Sequence, residues 1–257
     1  TFRTAGRPGN PDFRALLNML TSLPESIKHA IPEFEGLEKL MRDSGQLNGN
    51  VLRAFVETSG TAFETRLKVA VLKDLQSVLR NLIALQSEGD LKGALLRLKS
   101  LLKSQEVVQT LKQAGFRIPE ISSRIEEFIR HIEFFQVTSK INDMFYTFLP
   151  VMWEGLKDSE FLFRRDKDGK DGSCTCDINL DLEKLGKLSV SVTVLEKAFF
   201  VSIFVEQPET AALISSGKKL LEERFASQGL MLKAVNINQK KGISFGQAQN
   251  KGVNLKI

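Results

Sequence analysis

Cys174, Cys176, Ile178, Leu180 and Leu182 alternate with Thr175, Asp177, Asn179 and Asp181, the two-residue period of a strand with one buried and one wet face. Lys184-Leu185-Gly186-Lys187 turns the chain. Leu188, Val190, Val192 and Val194 then alternate with Ser189, Ser191 and Thr193 as a second half-buried strand. After the short polar link Glu196-Lys197, residues Phe199 to Val205 are apolar on both faces, which predicts the most covered strand. Gln207-Pro208-Glu209 has proline where a first-turn N–H is not needed and a carboxylate where the helix dipole favours one, so it predicts a helix running from Pro208 to Gln228. Leu213, Leu220, Leu221 and Phe225 are its expected inward face. Gly229 suits a left-handed helix end, and Leu232, Val235 and Ile237 mark a returning strand whose alternation slips once, predicting a bulge or an edge position.

Upstream, Asp12 to Leu149 reads as helical, punctuated by Pro24, Pro32, Gly45, Gly49, Gly60, Gly89, Gly115 and Pro119. Between Thr61 and Gln86, Leu67, Val71, Leu75, Val78, Leu82 and Leu85 form one stripe and Leu72, Leu79 and Ile83 a second, the pattern of a helix in the middle of a bundle. Pro119 to Phe148 repeats the logic with Ile121, Ile125, Phe128, Ile132 and Phe135, and Leu149-Pro150 ends it. The fold class expected is α+β. A flexible leader (1–11) precedes an all-helical domain (12–149), a small β-β-β-α-β domain (150–239) with a helix packed on a mixed or antiparallel sheet, and a basic flexible tail (240–257).

The middle of that small domain is similar to the C-terminal domain of the flagellar hook-length control protein family. The resemblance rests on Ile178-Asn179-Leu180-Asp181, on Leu185-Gly186-Lys187-Leu188-Ser189-Val190, on Val201 to Glu206 with Gln207-Pro208-Glu209, and on Leu220, Leu221 and Gln228-Gly229-Leu230. The family carries prolines ahead of the Leu-Gly pair where this chain has Leu182-Glu183, so a reshaped turn is expected. The resemblance implies a non-enzymatic regulator, exported from the cytoplasm through the flagellar type III apparatus without a cleavable signal. It would engage the cytoplasmic domain of the export-gate switch protein, with hook or hook-cap subunits as further partners. The extended ruler segment of the family either lies before Thr1 or is replaced here by helices; a chain that starts without Met reads as a fragment or processed form. Partner-binding residues are expected at Leu185, Gly186, Gln207 and Pro208, and at the terminal alternation Val253, Leu255 and Ile257, which suits strand addition to a partner's sheet edge.

The 257 residues, 42% apolar and 26% charged, give room for two cores. No stretch approaches the ~18–20 apolar residues that span a bilayer. Cys174 and Cys176, two apart on one strand face, are poorly placed for a disulfide and read as buried free thiols. Asp166 to Gly172 resembles a calcium loop with Asp177 at its twelfth position, but Lys170 and Asp171 stand where an oxygen ligand and glycine are required, so a solvated hairpin turn is expected. His29 and His131 have no ligand-spaced companions and read as surface or capping residues. Phosphate-loop, dinucleotide and nucleophile-elbow motifs are absent, and neither enzyme chemistry nor a cofactor or metal is implied. After Glu223 no carboxylate occurs, whereas Arg224, Lys233, Lys240, Lys241, Lys251 and Lys256 carry more charge than the whole chain's net +5. That concentration makes a nucleic-acid-binding module the alternative function. The single Tyr146 and single Trp153 are expected outside the sheet, and no aromatic–basic interleaving marks an RNA-binding signature, so nucleic acid is not the expected partner.

Overall fold

A computed structural model of the chain describes residues 13–23, 25–30, 42–43, 90–142, 144–148, 151–152, 154–165 and 173–245. The expected helix between Thr61 and Gln86, the turn at 166–172, the leader and the terminal alternation lie outside the described residues. The elements in order are α1 (Phe13–Thr21), α2 (Glu25–Ala30), β1 (Arg42–Asp43), α3 (Leu91–Leu101), α4 (Gln105–Gln113), α5 (Ile118–Ile141), β2 (Phe145–Thr147), β3 (Val151–Met152), β4 (Leu156–Arg165), β5 (Cys174–Leu182), β6 (Gly186–Leu195), β7 (Ala198–Val205), α6 (Pro208–Ser216), α7 (Lys218–Ser227) and β8 (Met231–Gln239). Helices dominate the N-terminal part and a six-stranded mixed sheet with helices forms the C-terminal part, an α+β fold as expected. Two compact units result, one holding residues up to Thr138 with Thr147–Glu154, the other Ser139–Tyr146 with residues from Gly155 on.

In the first unit, α3 starts where the Asp90 carboxylate accepts the Gly93 N–H at 3.1 Å, satisfying one of the donors a helix start leaves open. Leu91, Ala94, Leu95 and Leu98 are buried. The α5 stripe is buried as its spacing predicts, at Ile121, Ile125, Phe128, Ile132 and Phe135. Lys92, itself buried, donates to Gln136 Oε1 at 2.7 Å and lies 3.6 Å from Glu133, so its charge is met by the neighbouring helix. His131 is a core residue, not a surface or capping one. Fully buried, it meets the rings of Phe135 and Phe148 edge-on at 4.9 Å each, because position 131 falls on the apolar stripe. His29 is exposed and holds the Glu25 carbonyl at 2.7 Å.

The long helix stops seven residues before the predicted Phe148. Beyond Ile141 the Ser139 hydroxyl accepts the Tyr146 N–H (2.9 Å) and donates to the Tyr146 carbonyl (3.0 Å), folding the chain back on itself. Phe145-Tyr146-Thr147, all residues that favour extended backbone, become the short edge strand β2. Tyr146 therefore lies within the sheet, contrary to the sequence reading, and its hydroxyl donates to Glu160.

The sheet order is β2-β4-β5-β6-β7-β8. From β4 to β7 neighbours are antiparallel, and β7 pairs with β8 in parallel across a helical crossover. Glu196 and Lys197 connect β6 to β7 with φ of 49° and 67°, the doubly left-handed backbone that matches the twist of a two-residue hairpin. Leu180, Leu182, Leu188, Val201, Ile203, Val205 and Val235 form the core on one face. β7 is paired on both sides and buries Ala198, Val201, Ile203 and Val205, but β4 buries as many positions, Ser159 to Leu162, two of them polar. β8 carries the expected irregularity: its register to β7 shifts between Leu232 and Ala234, leaving Lys233 in a bulge, and it is also an edge.

Two helices replace the single one predicted over Pro208 to Gln228. Gly217 (φ −85°, ψ −4°) separates them, its N–H turning back to Ile214 C=O at 3.0 Å. The inward stripe keeps one helical spacing across the break. Ala211, Ile214, Leu221 and Phe225 pack on the core, whereas Leu213 and Leu220, predicted to face inward, are 57% and 58% exposed.

On the other face, register places Thr175, Asp177 and Asn179 beside Arg164, Leu162 and Glu160 on one side and Thr193, Ser191 and Ser189 on the other. Asp177 is bonded by Arg164 and accepts from Ser191 Oγ at 2.7 Å; Asn179 donates to Glu160 Oε1 at 2.6 Å; the hydroxyls of Thr175 and Thr193 meet at 3.2 Å. The face expected to be wet is instead a cross-strand polar network. A buried carboxylate such as Glu160 is tolerated because donors on two other strands reach it.

Candidate functional site

At one end of the sheet, the turn from β5 to β6 meets the corner from β7 to α6. Gly186 has φ +71°, open to glycine and strained for other residues, and a Cβ there would stand 3.2 Å from Gln207 Nε2. Gln207 is extended (φ −103°, ψ 134°) and exposed, and Pro208 occupies the first turn of α6. Two residues on, Thr210 is only 2% exposed and its hydroxyl donates to the Leu185 carbonyl at 3.0 Å, locking turn to helix. The Leu185 side chain packs against the sheet core. Four sequence-predicted residues, Leu185, Gly186, Gln207 and Pro208, are thus brought together, the first anchoring and the exposed Gln207 and Pro208 available for contact. Val253, Leu255 and Ile257 lie outside the described residues.

Sequence reasoning missed the rest of this end. Glu206 Oε1 accepts the Ile243 N–H at 2.8 Å, and Gln239 Nε2 donates to the Glu206 carbonyl at 3.2 Å. Ile243 is buried, so the chain after β8 is pinned to the corner. Lys187 lies 5.6 Å from the centre of the Phe245 ring, and Lys240 lies 5.7 Å from that of Phe204, contacts in which a cation faces the electron-rich ring. The available signals were Thr210, a hydroxyl one helical turn before Ile214 on the core face, and Ile243, an isolated apolar residue in a polar stretch. Composition alone made 240–245 look like tail.

Nothing in this arrangement activates a nucleophile. Burial, and after it the neighbouring Asp177 charge, push the Cys176 thiol from 9.0 up to about 12, far from the thiolate that reacts. Cys174 is free as expected but exposed, since it opens β5. Asp177, the twelfth position of the calcium-like sequence, is engaged by Arg164 and Ser191. Among the described residues no cluster of three or more metal-ligating side chains occurs, and no helix is long and apolar enough to cross a membrane.

Fold and site together define a small domain built on a six-stranded mixed sheet with a helical crossover. Residues 164–245 match the family model of the flagellar hook-length control protein FliK, which bears out the resemblance read from the sequence and extends it from β4 to Phe245. The match supports a role in flagellar hook-length control. No curated protein and no solved structure gives a significant match.

Proposed function

We propose that this chain is a non-enzymatic regulator of hook length, and that its C-terminal domain acts by binding the cytoplasmic domain of the export-gate switch protein. Binding would change export from hook to filament subunits, with the chain itself passing through the flagellar type III apparatus and meeting hook or hook-cap subunits. The match over residues 164–245 carries this reading, because it covers both halves of the corner that joins Leu185-Gly186 to Gln207-Pro208. The corner supplies what recognition needs: exposed Gln207 and Pro208 on a backbone held by Thr210. The terminal residues Val253, Leu255 and Ile257 are the second contact, added to the partner as an extended strand.

Deleting the gene tests the role. Overlong hooks are expected, and hooks and filaments of normal length would defeat the proposal. Returning the chain without residues 247–257 separates contact from folding: an intact, equally stable domain with lost switching supports the terminal contact, whereas normal switching refutes it. A mobility-shift assay at low and moderate salt addresses the alternative of nucleic-acid binding, in which affinity retained at moderate salt would count against a purely protein-directed regulator.

A further inference from the structure

We propose that the outer edge of β8 is a docking site for an extended, acidic segment of a partner protein, which adds to the sheet as a further strand. Among the described residues β8 pairs on one side only, with β7. The edge strand at the other side of the sheet, β2, is three residues long and buries Tyr146 and Thr147, whereas β8 is nine residues long. From Ala234 to Gln239 its register is unbroken, beyond the bulge at Lys233.

Which groups face outward follows from the ladder. The Lys240 N–H donates inward to the Val205 carbonyl at 2.8 Å. In a parallel pair, alternate residues bond the same neighbour, so Asn236 and Asn238 also face β7 with their amides, while Val235, Ile237 and Gln239 turn N–H and C=O outward. Those outward groups form the template that an incoming strand requires.

The occupant's charge follows from the flank. Lys233 and Lys241 are exposed, Lys240 caps the strand, and Arg224 is exposed on α7. Of the nearby carboxylates, Glu206 holds the Ile243 amide and Glu222 lies 3.9 Å from Lys218; Glu223, on α7, is the last acidic residue of the chain. Lysines on an edge deter neutral and basic strands, but opposite charges on adjacent strands stabilise pairing, so the same lysines select an acidic segment. A second copy would bring β8 lysines against β8 lysines. Residues 246–257 of this chain bring Lys251 and Lys256 and no carboxylate. Charge therefore disfavours both and leaves an acidic partner. The inference stands on edge geometry and charge and does not depend on the hook-length reading.

The test is residue-resolved amide exchange on the full chain with two short model peptides, one alternating Glu and Val, the other Lys and Val. The Glu-Val peptide is expected to slow exchange at Val235, Ile237 and Gln239 by roughly tenfold or more while leaving Asn236 and Asn238 unchanged. Lys240→Glu/Lys241→Glu should abolish that protection and transfer it to the Lys-Val peptide. Equal protection by both peptides, protection that ignores the odd–even pattern, no protection at all, or protection arising from self-association of the chain each overturns the proposal. Hook length is not read in this experiment, so its failure leaves the hook-length reading untouched.

Discussion

Replacing Thr210 with valine keeps most of the side chain's bulk and removes only the hydroxyl that holds the β5–β6 turn to α6. The wild-type hydroxyl is 2% exposed as part of its residue and donates to Leu185 C=O at 3.0 Å. Loss of a hydrogen bond of this kind costs ~0.5–1.5 kcal/mol net, rising to ~1–3 kcal/mol if the abandoned carbonyl stays dry. Leu185 is half-buried while Glu183 and Lys184 before it are exposed, so partial rehydration of the turn is available. A cost of ~1–2 kcal/mol is therefore expected for Thr210→Val, which accelerates exchange of the slowest core amides about 5–30-fold. Val190, Val192, Val201 and Ile203, on the interior strands β6 and β7, are the amides to follow, because they report on this domain without assuming that the whole chain unfolds in one step. Thr210→Ser retains the donor and should recover most of the loss. The reasoning fails if Thr210→Val changes exchange by less than the equivalent of ~0.5 kcal/mol, or if Thr210→Ser is as damaging as valine, which would locate the cost in the methyl group.

Gly186→Ala should destabilise the domain by ~1–2 kcal/mol through its φ of +71°, measured by denaturant midpoint; Gln207→Ala in the same chain should not relieve it, since the 3.2 Å contact is with a movable side-chain end. Lys197→Gly should stabilise by ~0.5–1 kcal/mol in the same assay, because Lys197 holds φ at 67° in the hairpin. With its folded pKa raised from 9.0 to about 12, Cys176 contributes stability that is complete below pH 9 and is lost as pH rises towards 12. Cys176→Val should accordingly gain relative to wild type above pH 9, and at pH 8 a thiol reagent followed by mass spectrometry should label Cys174 well before Cys176.

The strands of the C-terminal domain were legible because β5 and β6 obey a strict two-residue period and Gly229 marks a turn that a bulky residue enters at a cost. β4 escaped period counting for a physical reason: Ser159 and Glu160 are polar yet buried, satisfied by partners far away in sequence, such as Asn179. The split at Gly217 was hidden for the opposite reason, since glycine within a helical pattern is often tolerated and only tertiary packing decides whether the helix is interrupted there. For the site, Leu185, Gly186, Gln207 and Pro208 could be named from the motif. The contacts of Thr210, Glu206 and Ile243 could not, because Thr210 meets the β5–β6 turn only once α6 has packed, and Glu206 meets Ile243 only once β8 has paired with β7.

That dependence sets an order of assembly. Antiparallel neighbours in the meander are joined by short links such as Glu196-Lys197, so their closure entropy is small, whereas β8 must return alongside β7 after the whole of α6 and α7. The meander can zip early and the parallel strand must dock late. Pulsed amide exchange during refolding would show this as protection of Val192 ahead of Asn236 and Asn238, whose amides face β7, and simultaneous protection would contradict it. Because the Glu206–Ile243 clasp needs β8 in place, a chain caught halfway could display a well-paired meander and still lack the finished corner. The corner therefore certifies completion: a partner that recognises it reads whether the domain has finished folding as well as whether it is present.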